Sequence, residues 1–103
     1  LINKEVKQMS ILKLDKYGNN LGTRILGIEV KKEFDMLLSK TNEIVIVDFN
    51  NIQIVTSSFA DELIGRNIQE YGLSEFKNRT KFINTNNNIK AVIKKSILDR
   101  MES

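Results

Sequence analysis

Apolar residues recur along the chain at two alternating spacings, and that alternation predicts the order of its elements. Met9-Ser10-Ile11-Leu12-Lys13-Leu14 is a short apolar run closed by Lys16-Tyr17-Gly18-Asn19-Asn20. It predicts a strand over 9–14, with a start reaching back toward Val6. Leu26, Val30, Phe34, Leu37 and Leu38 then fall at helical spacing, with Lys31, Lys32 and Asp35 opposite. They predict an amphipathic helix over 23–39, opened by Gly22-Thr23. Within 43–49, Ile44-Val45-Ile46-Val47 is an unbroken β-branched run. Such a run cannot alternate between core and water, so it predicts a central strand covered on both faces.

Ile52-Gln53-Ile54-Val55 reads as a short extended piece. Ala60, Leu63, Ile64, Ile68 and Tyr71 form the stripe of a second helix over 57–71, and Gly72 stands where a C-terminal cap belongs. Glu62 and Arg66 make an i,i+4 pair expected on its outer face. A third core strand is expected over 80–84. A last helix is expected over 87–101, with Ile89, Val92, Ile93, Ile97 and Met101 inward. Strands alternating with helices predict an α/β fold. Its sheet is expected to be mostly parallel or mixed, of about four strands, packed with three main helices. Ile46, Val47, Leu63, Phe82 and Ile93 are expected in one core.

The 103 residues fit one domain spanning 1–103. The chain opens on Leu1 without an initiator Met, which suits a piece of a longer parent, and it shows no signal-peptide pattern. No window reaches the roughly 18 apolar residues of a membrane span. A soluble, cytoplasmic domain without membrane contact is therefore expected. Cysteine and histidine are both absent. Disulfides, thiolate or histidine metal sites and Ser-His or Cys-His nucleophile pairs are thereby excluded. No enzymatic activity and no cofactor or metal are expected. The net charge of +3 is too mild to mark a dedicated nucleic-acid binder. The asparagine runs, such as Asn86-Asn87-Asn88, read as background composition.

Three places carry candidate chemistry. Val55-Thr56-Ser57-Ser58 leads from a strand region into a helix, where free N–H groups and the dipole favour an anion. A hydroxyl there is a candidate phosphate carrier. The structural alternative is a cap, since Ser58 with Asp61 fits the capping-box pattern and Ser57 serves equally. Asp48 ends the central strand, where α/β sheets bind ligands. A phospho-accepting role would need an acidic pair after the first strand. Asp15 alone is available, so Asp48 is expected to bond nearby backbone.

The loop Gly18 to Arg24 is the second place. Gly22, Thr23 and Arg24 are a candidate anion-binding set, with a turn capped by Thr23 as the alternative. It lacks the Gly-Lys-Ser/Thr end of a phosphate-binding loop. The third is a late basic cluster of Lys77, Arg79, Lys81, Lys90, Lys94 and Lys95. It suits an acidic protein or nucleic acid, or is simply a solvated face.

The strand-turn-helix Val47-Asp48-Phe49 to Val55-Thr56-Ser57-Ser58-Phe59-Ala60-Asp61-Glu62 resembles the STAS domains of sulphate transporters and anti-sigma-factor antagonists. With Gly22-Thr23-Arg24 and the Ile-Asn end of the third strand, it is most similar to the bacterial STAS-like domain-of-unknown-function family. In STAS regulators an Asp-Ser-Ser-Gly turn opens a helix and its first Ser is phosphorylated. The resemblance implies a non-enzymatic regulatory module, Ser57 as the switch, and a histidine-kinase-like ATPase as protein partner. Thr56 stands for the family Asp and Phe59 for the Gly. The alternatives are a nucleic-acid binder using the late basic cluster and a small phosphate-ligand binder at Gly22. Oligomeric state is not legible.

Overall fold

A computed structural model describes residues 9–40 and 44–101 of the chain. The expected strand start near Val6 lies outside these residues. The order is β1 (Met9–Lys13), a 3₁₀ turn (Leu14–Tyr17), β2 (Asn20–Leu21), α1 (Arg24–Lys40), β3 (Ile44–Asp48) and β4 (Ile54–Val55). Then come α2 (57–71), α3 (Leu73–Arg79), β5 (Thr80–Ile83) and α4 (Asn87–Met101). Helix α2 is continuous but not uniform. It is α-helical over Ser57–Ala60, widens to a π-helix over Asp61–Gly65, and returns to α-helix over Arg66–Tyr71. Gly72 ends it, donating to the Ile68 carbonyl at 2.8 Å. No described helix is long and apolar enough to cross a membrane.

β1, β3 and β5 form a parallel three-stranded sheet with β3 central. β2 and β4 form a separate parallel ladder of two residues each. The described strands thus number five in two sheets, where one sheet of about four was expected.

Each neighbour in the main sheet is laid down on the same side of the last, with a helical crossover between. Right-handed crossovers in that order put every helix on one face. Leu12, Val45 and Val47 point to that face and are fully buried. Their neighbours point the other way: Met9 and Ile11 are more than half exposed, and Ile44, Ile46 and Ile83 are half-buried. This corrects the expectation that β3 is covered on both faces. It also removes Ile46 from the core, while Val47, Leu63 and Ile93 are in it and Phe82 packs against it.

Under the sheet, Phe34, Phe76, Phe82 and Phe49 form a chain of tilted ring contacts with centroids about 6 Å apart. Such contacts add to plain area burial. The chain ties α1, α3 and β5 to the end of β3. α1 presents Gly27, Val30 and Phe34 inward. Lys31, expected on its solvent face, is instead mostly covered and bonds Asp35 at 2.7 Å and Glu70 at 2.9 Å. On α4, Ile89 and Ile93 are buried with Ser96, but Met101 is more than half exposed, against expectation.

Candidate functional site

The two-residue β2–β4 ladder decides where the candidate residues meet. Both strands run straight into helices, and parallel pairing sets the two helix starts side by side. Asn20 pairs Ile54 and Leu21 pairs Val55. The ladder continues through Thr56 N–H donating to the Leu21 carbonyl at 3.1 Å. So Gly22-Thr23-Arg24 and Thr56-Ser57-Ser58, separate in sequence, share one corner of the molecule.

Each segment's first task there is capping. The Thr23 hydroxyl accepts from Leu26 N–H at 3.1 Å. The Thr56 hydroxyl accepts from Phe59 N–H at 3.2 Å, with Thr56 in extended backbone. That places Thr56, rather than Ser57 or Ser58, at the N-cap of α2. The capping-box reading of Ser58 with Asp61 does not hold, because Asp61 turns to arginines. Ser57 and Ser58 are both exposed in the first turn, free of the capping role. Phe59, standing where a glycine was the family pattern, is buried in the core.

Behind the helix mouth lies an ionic lock. Arg24 donates to Asp61 at 3.0 Å and pairs with the buried Glu62. Arg66 approaches Glu62 at 3.3 Å. Arg100, in the last turn of α4, donates to both Asp61 oxygens at 3.0 Å and to Gln69 at 2.7 Å. Burial alone would raise the Asp61 pKa, but its bonds to Arg24 and Arg100 hold the carboxyl below the usual range. The Glu62–Arg66 pair exists, yet Glu62 is only 3 % exposed, so it is not on an outer face. Arg24 is likewise committed inside this lock and is not directed at the Gly22 loop as an anion ligand.

The lock is possible because α1 and α2 touch at Gly27. A Cβ there would lie 2.8 Å from Glu62 Cβ and 2.9 Å from the Phe59 carbonyl oxygen. Gly65 on the π segment similarly admits the Arg100 side chain, which a Cβ would meet at 2.8 Å. Arg100 and Gly27 are not singled out by the sequence, which reads Asp61 only as a capping partner and Glu62 only as an outer-face pair with Arg66. A signal was present: Glu62 stands three residues after Phe59, and Gly27 three before Val30, both inside apolar stripes.

A groove of about 200 Å³ opens beside the mouth of α2. Ser57 and Asp61 form one side, and Val92, Lys95, Ser96 and Asp99 of α4 the other. Ser96 donates to the Ala60 carbonyl at 3.2 Å, closing the groove floor. Lys95 pairs with Asp99 at 3.0 Å.

Asp48 bonds to none of these residues. It accepts from Asn84 Nδ2 at 2.8 Å and from Asn50 N–H at 2.9 Å. The Asn84 bond chiefly lowers its pKa. Asp15, at the same end of the sheet, accepts from Asn51 at 3.1 Å. Both carboxylates thus fasten turns in which Asn51 and Asn84 adopt left-handed backbone. The late basic residues divide between paired and exposed side chains, with Lys95 and Arg79 among the paired. Arg79 donates to the Leu38 carbonyl at 3.0 Å and lies near Glu75. Lys77, Lys81, Lys90 and Lys94 are exposed around α3, β5 and α4.

A family model described as a STAS-like domain of unknown function matches residues 27–90. That span contains most of α1, all of β3 and α2, and β5. No curated protein and no solved structure matches the chain significantly.

Proposed function

The chain belongs to this STAS-like family, and on that premise we propose that it is a non-catalytic protein-interaction module whose docking surface centres on the mouth of α2. The observation that carries this reading is the division of labour among three adjacent hydroxyls. Thr56 holds the helix end, so Ser57 and Ser58 remain exposed and are not needed for the fold.

A phosphate on Ser57 adds close to two negative charges and three strong acceptors. The N-terminal dipole offsets part of that charge at an exposed first-turn position, so the fold survives it. A protein packed on the same surface would have to desolvate it. Phosphorylation of Ser57 by a histidine-kinase-like ATPase would then release a partner while leaving stability nearly unchanged.

Calorimetric titration against a histidine-kinase-like ATPase encoded beside the gene tests this, with mass spectrometry after incubation with ATP. Ser57→Asp is expected to weaken binding by a few kcal/mol, about a hundredfold, and Ser57→Ala to bind like wild type. Equal binding by both variants would remove the switch from Ser57.

A further inference from the structure

A second groove lies on the far side of α4 from Ser57, along β5. β5 is an edge strand: it pairs only with β3, and its outer backbone makes no hydrogen bond among the described residues. Beside that edge, α3, β5 and α4 stand apart. They leave a cavity of about 460 Å³ lined by Leu73, Phe76, Phe82, Ile93, Ile97 and Met101 among others. It continues into a second, of about 260 Å³, past Phe82 to Leu98 and Thr85.

No lining residue of either cavity is acidic, while Lys77 lines the first and Lys90 and Lys94 the second. Lys81 projects from β5 itself on the opposite face of the strand. None of these four lysines has an ion-pair partner among the described residues, although Lys16, Lys31 and Lys95 do. Unpaired strand edge, apolar floor and uncompensated positive rim therefore coincide.

We propose that this groove takes an extended acidic–apolar segment of a partner protein, which adds a strand to β5. The unpaired edge supplies main-chain hydrogen bonds, and alternate side chains of the incoming strand point into the cavities. The remaining side chains point toward Lys81 on the other face of the extended sheet, and acidic groups there complete the unpaired charge. Nucleic acid fits less well. The two lining phenylalanines, Phe76 and Phe82, pack on each other and on the core with ring centroids 6.1 Å apart, and the rest of the floor is mainly aliphatic, which suits apolar side chains better than stacked bases. The surface is separate from the α2 mouth and does not depend on Ser57.

The probe is a short fluorescent peptide alternating glutamate with isoleucine, followed by anisotropy against the whole chain. Saturable binding is expected, weakening about tenfold or more in Lys81→Glu, which faces the acidic side chains of the added strand, and with rising salt. Leu98→Glu, an exposed groove position, is expected to weaken it as well, and Lys32→Glu on α1 to leave it unchanged. Methylating alternate peptide nitrogens removes the donors that an added strand needs and should abolish binding. NMR amide shifts are expected along Lys81, Phe82 and Ile83. Circular dichroism checks that each variant is folded. Equal binding by the methylated peptide, equal loss in Lys32→Glu, or tighter lysine-dependent binding of a single-stranded RNA would each overturn the proposal.

Discussion

Gly27→Ala tests the packing of α1 against α2 by sign as well as size. In an ordinary helix interior the change stabilises, by roughly 0.5–1 kcal/mol, because alanine loses less backbone entropy on folding. Here the new methyl would stand 2.8 Å from Glu62 Cβ, 2.9 Å from the Phe59 oxygen and 3.3 Å from Phe59 Cα. Carbon atoms in contact prefer about 3.5–4.0 Å, so the helices must part by the better part of an ångström. Two of the obstructing atoms belong to backbone and the third to the root of a buried side chain, so rotamer changes cannot relieve the clash. Overpacking of this kind typically costs about 1–3 kcal/mol. Parting the helices also draws Arg24 from Glu62 and leaves a buried carboxylate less well paired. The expected net destabilisation is about 1–3 kcal/mol, and each kcal/mol lowers the melting temperature of a domain this size by roughly 4–8 °C. Thermal melts and urea titration give both numbers. Gly65→Ala is the internal comparison, because its close obstruction comes from the side-chain atoms Asp61 Oδ1, Arg100 Nε and Arg100 Cγ and none of it from backbone. A Gly27→Ala variant as stable as wild type, or more so, would refute the close helix contact.

Thr56→Ala is expected to cost about 1 kcal/mol as a lost cap, whereas Ser57→Ala stays within about 0.5 kcal/mol; chemical denaturation of the two variants separates them. Glu62→Ala removes the carboxylate that joins Arg24 to Arg66, and since both arginines are half exposed the expected loss is about 1–3 kcal/mol, read from the same titrations. Asp48, Asp61 and Glu33 all have lowered pKa values in the fold. Depressed carboxyl pKa values contribute stability that is present above the unfolded values of 3.8 and 4.5 and is lost as pH falls through the folded ones. Melting temperature should therefore fall steeply below about pH 4, and Asp61→Asn should flatten that slope.

The long elements were legible because their apolar residues are periodic. Val30 and Phe34 mark α1, Leu63, Ile64 and Ile68 mark α2, and Ile89 with Ile93 marks α4. What escaped was short or relational. β2 has two residues and therefore no period. α3 buries only Phe76, too little to register as a stripe. The β-branched run in β3 signals a strand but cannot say that, among the described residues, the helices pack on only one of its faces, because that follows from the order in which strands are laid down. Thr56, Ser57 and Ser58 are chemically interchangeable as caps, and the choice rests on which one the β4 ladder holds in extended backbone. Arg24 meets Asp61 and Glu62 across a long sequence separation, so the pairing is a property of the corner and not of either segment.

Every strand pairing in the described residues is parallel, and this governs how the chain reaches its fold. Met9 meets Ile44 and Val45 meets Thr80, each with a whole crossover between. No hairpin exists among these strands to nucleate the sheet locally, so each ladder waits on the closure of a long loop. Helix formation takes well under a microsecond per segment, by rough estimate, and far outpaces such closure. Folding is therefore expected to be slow for a domain of this size, with helices condensing first and the sheet zipped late. On the ribosome β1 emerges early but has no partner until β3 follows, and β3 carries its exposed Val45-Ile46-Val47 edge until β5 is made. The interval between those events is when the chain is most open to aggregation through that edge.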